Sequence, residues 1–179
     1  MLQKSSISKT AEIFFINPNK GHYLMDISRN VRLAHTSVKK NLKELTRLGM
    51  ISESIEKKGR RRYPIYKANS DNRAFKRYKL IYNFSSILES GLIDLIEEKL
   101  TPKSIVLFGS YSKGEDIETS DIDLFVESKK EELNLKSFEK RLGRKIELHF
   151  KDDFTSYPKE LKNNIINGVV LNGFLEGYK

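Results

Sequence analysis

The sequence predicts an α+β chain in two parts, and three observations predict it. Charge is unevenly divided: residues 1–80 carry 19 Lys/Arg against 6 Asp/Glu, a net +13, whereas residues 81–179 carry 14 against 18, a net −4. The first part shows helix-period apolar patterning and then a hairpin-like stretch. The second part sets strand-like apolar runs around Gly109-Ser110 and Asp121-Ile122-Asp123. At 179 residues and 38% hydrophobic content there is room for two small cores. The expected division is a basic domain over 1–70, a connecting helix over 71–87 and a second domain over 88–179.

In chain order, Ala11 to Asn17 and Met25 to Val31 read as helices, with Leu33-Ala34-His35-Thr36 as a turn. From Thr36 to Leu48, residues Val38, Leu42, Leu45 and Leu48 recur at i, i+4, i+7 and i+10, an apolar stripe that leaves Ser37, Lys39, Lys40, Asn41, Lys43 and Arg47 outside. Gly49 supplies the C-terminal stop. Met50 to Ile55 and Tyr63 to Lys67 read as strands joined by Glu56-Lys57-Lys58-Gly59-Arg60-Arg61-Arg62, a hairpin with a basic tip. The polar run Ala68 to Asn72 marks a boundary, followed by helical spacing at Phe75, Tyr78, Ile81 and Tyr82. A further helix, Leu92 to Leu100, is stopped by Thr101-Pro102.

Ile105 to Phe108 then reads as a strand that meets Gly109-Ser110. A glycine at a strand end lets backbone N–H groups approach a phosphate without a Cβ in the way, and the serine adds a hydroxyl. Asp121 and Asp123 stand at i and i+2, so both carboxylates leave one face of a strand while Ile122 and Leu124 face the core. Two convergent carboxylates suit a hard divalent cation. The alternating run Lys145 to Phe150 places Ile146, Leu148 and Phe150 inward and Glu147 on the other side. Tyr157 through Leu171 reads as a short helix and a small closing element.

The segment from Leu88 onward resembles the minimal nucleotidyltransferases of the polymerase-beta superfamily, whose signature is a Gly-Ser turn followed about ten residues later by Asp-x-Asp. The resemblance implies that Asp121 and Asp123 hold magnesium or manganese, that Gly109 and Ser110 contact the triphosphate of a nucleotide, ATP above others, and that a third carboxylate completes the site. Glu147 is the candidate, although family members often have Asp there. Lys113 stands where the family often has arginine, and it would approach triphosphate oxygens as a point charge.

The basic half resembles the winged helix-turn-helix domains of prokaryotic transcription regulators over Ser8 to Ala68. That resemblance implies double-stranded DNA as a partner, with Ser37, Lys40 and Asn41 near the start of the helix that enters the major groove. Lys57, Lys58, Arg60, Arg61 and Arg62 would form the wing and serve phosphates. In related minimal enzymes the acceptor can be a tyrosine of a HEPN toxin, so the resemblance implies a HEPN-type protein partner and an operon-regulating role. The spacing Arg144-x4-His149 is itself HEPN-like, but Lys151 stands where a tyrosine is needed.

Composition narrows the classes. Without cysteine there is no disulfide framework and no thiolate zinc site. No apolar run approaches the roughly 20 residues that span a bilayer, so a cytoplasmic protein without a membrane partner is expected. Two rivals stay open: a transcription regulator whose transferase domain is only a nucleotide sensor or dimerisation module, which brings in a homodimer, and a transferase acting on RNA.

Overall fold

The computed structural model describes residues 5–151 and 154–176. Among them the chain forms seven α-helices and two small sheets, an α+β architecture. It divides into two compact units, Met1–Tyr82 and Asn83–Lys179.

The first unit contains α1 (Ser6–Ile16), β1 (His22–Tyr23), α2 (Leu24–Val31), α3 (His35–Arg47), β2 (Ile51–Lys58) and β3 (Arg61–Ala68). Ser5 caps α1 by accepting from the Ser8 amide, which starts the helix five residues before the apolar pattern does. Its core joins Phe14, Phe15, Ile27, Val38, Leu42, Leu45, Met50 and Tyr66. Burying a side chain such as Phe14, fully enclosed here, contributes about 2–3 kcal/mol. The stripe expected on α3 holds at Val38, Leu42 and Leu45, but Leu48 is exposed as the C-cap. Gly49 follows with φ +69°, the left-handed conformation of a residue just past a helix end.

β2 and β3 pair from Ile51↔Ala68 to Lys58↔Arg61. The turn is therefore Gly59-Arg60, and Gly59 takes the positive φ, +62°, that such two-residue hairpins need. β1 adds to β3 only at His22↔Tyr66 and Tyr23↔Ile65. Pro64 lies just beyond that short ladder, so β3 tolerates its missing N–H. The two-residue β1 had no sequence signal, being too short to show alternation.

The helix α4 (Arg73–Ser90) carries the chain across the division between the units. The second unit continues with α5 (Leu92–Leu100), β4 (Ser104–Phe108), β5 (Ile122–Val126), α6 (Lys136–Leu142), β6 (Ile146–Phe150), α7 (Lys159–Ile166) and β7 (Val169–Gly173). Strand order is β6-β5-β4-β7, with β5 and β6 parallel and the other pairs antiparallel. All five residues of β4 are buried, as a strand covered on both faces must be. One face, with Ile105, Leu107, Ile122, Leu124 and Ile146, packs with Ile87, Leu92, Ile93 and Ile96. The other, with Val106, Phe108 and Phe125, packs with Phe154 and Ile165. The helix α6 makes the crossover that parallel strands require.

Candidate functional site

The site lies at the end of β4, where Phe108 is in register with Asp123 of β5, and Asp123 in turn with Glu147 of β6. Residues in register on neighbouring strands leave the sheet on one side, and His149, two residues past Glu147, leaves it there too. One ligand atom each from Asp123, Glu147 and His149 lies within 4.8 Å of the others. Glu147 is exposed, and Asp123 and His149 are half-buried.

Gly109 has φ +73°. A Cβ there would lie 2.3 Å from Asp123 Oδ2. Glycine is thus required twice, for a conformation that side chains resist and for the approach of its backbone to the carboxylate. Ser110 follows in helical conformation and begins a short 3-10 turn, Tyr111–Lys113. Ser112 Oγ donates to the Gly109 carbonyl at 2.8 Å, closing the turn from below. Lys113 is exposed at its end.

A buried polar network holds the loop that leads to Asp121. Asn83 Nδ2 donates to the Tyr111 carbonyl at 2.9 Å and to Asp116 Oδ1 at 2.7 Å. Arg144 lies 3.7 Å from Asp116 Oδ2, with side chains only 7% and 1% exposed. A carboxylate so far from water needs this compensation. Arg144, which formed half of a HEPN-like spacing, is thus a structural partner of Asp116. Ser120 closes the loop by pairing with Ile117 through both its backbone N–H and its hydroxyl.

Asp121 stands exposed, one residue ahead of β5, and is outside the Asp123–Glu147–His149 cluster. The strand therefore brings Asp123 and Glu147 together but leaves Asp121 at its mouth. His149 is the residue that sequence reasoning left out. Its signal was the i+2 spacing from Glu147, the same alternation that set Glu147 apart from Ile146 and Leu148. His149 Nε2 lies 3.5 Å from Asp123 Oδ1, and its ring meets Phe108 edge-on at 5.0 Å. The Asp123 contact holds the imidazole above its ordinary pKa, with the charges of Glu147 and Asp123 assisting and burial opposing.

The donor set fits a divalent cation: two carboxylates and an imidazole converge beside the Gly109 backbone, where a Cβ would strike Asp123.

In the basic half, Lys40 is exposed on α3 and Ser37 half-buried. Asn41 points inward: it is 7% exposed, and its amide donates to Thr10 Oγ1 at 3.0 Å and accepts from Ser6 Oγ. The expected outward placement of Asn41 on this helix is thus corrected. A polar residue beside an apolar stripe reads as surface until a partner on another helix, here Thr10, is known. Lys57, Lys58, Arg60, Arg61 and Arg62 are all exposed around the hairpin tip. Lys58 is partly engaged, 3.7 Å from Glu56 and 4.5 Å above the Tyr23 ring.

The sheet, the glycine turn and the carboxylates beneath it define a nucleotidyltransferase domain, and residues 89–172 match that family's sequence profile, described as "Nucleotidyltransferase domain". The chain is similar to two Methanocaldococcus jannaschii proteins, each named "Putative protein adenylyltransferase". One is 45% identical over 64 residues, covering 30% of this chain and 62% of that protein. The other is 43% identical over 63 residues, covering 35% of this chain and 72% of its own length. The chain belongs to the nucleotidyltransferase family; it spans less than two thirds of the first of these relatives. A solved structure titled "Possible transcriptional regulator from Methanosarcina mazei Go1" aligns over 54% of this chain and 76% of its own, at 18% identity and a TM-score of 0.38, too low to bear on the fold. Among the described residues no helix is long and apolar enough to cross a membrane.

Proposed function

We propose that the protein is a metal-dependent adenylyltransferase that moves AMP from ATP to a hydroxyl of a protein, and that its basic N-terminal unit is a winged helix that binds DNA. The observation that carries the catalytic reading is the Gly109 backbone lying against Asp123, with Glu147 in register beside it. Asp121, Asp123 and Glu147 would hold divalent ions, magnesium or manganese, which when bound supply charge neutralisation for the triphosphate. The Gly109-Ser110 turn, with its glycine free of a Cβ, would seat the triphosphate, and Lys113 would balance its charge. The acceptor oxygen bonds to the α-phosphorus as the bond to the bridging β-oxygen breaks; pyrophosphate leaves, and the hydroxyl proton passes to a carboxylate such as Glu147. A domain of roughly 90 residues is too small to enclose an extended template, which favours a docked protein as acceptor. The relatives' name, protein adenylyltransferase, points the same way. A HEPN-type partner follows from the family resemblance.

The DNA reading is supported by the helix order of the first unit, the exposed lysines of α3 and the five basic residues around the hairpin tip. Operon autoregulation would follow from it. A second reading, a regulator whose transferase domain only senses nucleotide, is favoured by the placement of Asp121 outside the cluster.

One experiment separates these readings. The protein is incubated with magnesium or with manganese and ATP labelled at the α-phosphate, in the presence of a native lysate divided afterwards into protein and RNA fractions. Label in the protein fraction, lost in Asp121→Ala/Asp123→Ala, is the expected result. Label in RNA alone replaces the acceptor. No label in any fraction, together with operator binding that responds to ATP, replaces the enzyme with the sensor.

A further inference from the structure

His149 belongs to none of the positions by which the family is recognised, yet it is built into the same cluster. Three observations bear on its role. One of its ring nitrogens lies within 4.8 Å of a carboxylate oxygen of Asp123 and one of Glu147, and Nε2 is 3.5 Å from Asp123 Oδ1. That nitrogen is buried and has no hydrogen-bond partner among the described residues; at 3.5 Å, Asp123 Oδ1 is within ion-pair reach but not in hydrogen-bond geometry. The ring is held in place edge-on by Phe108, the residue in register with Asp123. A buried ring nitrogen in ion-pair reach of one carboxylate, outside hydrogen-bond geometry and clustered with a second carboxylate, is placed as a ligand is placed.

We propose that His149 Nε2 is a ligand of the cation that Asp123 and Glu147 hold, which makes this a mixed carboxylate and imidazole centre selective for a divalent transition ion over magnesium. The proposal rests on the metal-dependent reading above and adds the identity of the ion. Magnesium favours an all-oxygen octahedron and keeps several of its waters. An imidazole nitrogen adds little to its binding but suits the later divalent transition ions, and manganese, at the start of that series, serves as the paramagnetic probe. Asp121, exposed one residue ahead of β5 and outside this cluster, would serve the nucleotide-bound ion.

The test uses the full chain with Mn2+ as probe. Free Mn2+ is followed by electron paramagnetic resonance, Mg2+ by its competition with Mn2+, and the bound ion is examined for nitrogen hyperfine modulation. Wild type is expected to bind Mn2+ with a nitrogen signal. His149→Gln should lose that signal and weaken Mn2+ by about tenfold or more, the scale on which even outer ligands act, while Mg2+ changes by less than about threefold. His149→Asn, read alongside with circular dichroism, guards against a folding defect in one variant. The proposal is overturned if bound Mn2+ shows no nitrogen coupling, or if both variants change Mn2+ and Mg2+ affinity equally. Mn2+ binding that survives Asp123→Asn/Glu147→Gln places the ion elsewhere and also overturns it. Failure of wild type to bind either ion removes the metal-dependent reading itself, whereas intact binding without nitrogen coupling removes only the role of His149.

Discussion

Gly109 and Gly143 form a natural pair of controls. Both have positive φ, +73° and +66°, but a Cβ at Gly143 would meet nothing within 4 Å, whereas one at Gly109 would strike Asp123. Gly143→Ala should therefore lose only the backbone term, about 1 kcal/mol, with nucleotidyl transfer unchanged. Gly109→Ala should lose more stability and abolish transfer, because the Asp123 carboxylate must move; urea melts and label incorporation measure the two effects. Asn41 gives a second prediction at this scale. Asn41→Ala removes one buried hydrogen bond, while the Thr10 hydroxyl keeps its bond to the Ser6 carbonyl at 2.9 Å; it should cost about 1 kcal/mol and leave the salt slope of duplex binding as it was, while Lys40→Ala should do the reverse. Gly109, Asp123 and Glu147 were legible because each is set by its neighbours in the chain: a turn residue at a strand end, or a polar residue in an alternating run. Asn41 and His149 were not, since what each meets lies on another element.

At the scale of elements, the Asn83–Asp116–Arg144 network ties α4 and the end of α6 to the loop before Asp121. Arg144→Met removes the guanidinium that faces buried Asp116 and should cost about 1–3 kcal/mol, while Arg144→Met/Asp116→Leu should recover part of that loss. Denaturant unfolding of the three proteins checks it, and transfer activity should follow the loop rather than global stability. The hairpin of β2 and β3 offers a separate test. Arg60→Gln/Arg61→Gln/Arg62→Gln should flatten the salt slope of duplex binding by about 2 to 3, near 0.9 for each phosphate no longer neutralised; an unchanged slope removes these residues from the DNA surface. Helices α2 and α3 and the strands β4 and β6 stood close to where periodicity put them. The two-residue β1 and the crossover helix α6 escaped it. β1 is too short to show a period, and no residue of α6 is fully buried, so its apolar face is weakly marked.

For the whole molecule, the division of charge predicts a division of behaviour. The proposed duplex binding by the basic half should fall steeply with added salt, whereas the proposed AMP transfer by the acidic half, centred on half-buried Asp123 under the Gly109 turn, should change less over the same range. Parallel titrations of the two activities with salt would test this; matched declines would mean that both reside on one surface. Charge asymmetry, apolar period and turn chemistry are local properties, and they were enough to specify an α+β chain, its basic hairpin and a glycine turn paired with carboxylates. Which side chains meet was settled by the folded arrangement alone. It set Glu147 in register with Asp123, brought His149 to them, left Asp121 at the mouth of the site and turned Asn41 inward. A strand's own pattern fixes the face a side chain leaves by, but the register of pairing with another strand, or the packing of another helix, fixes its neighbours.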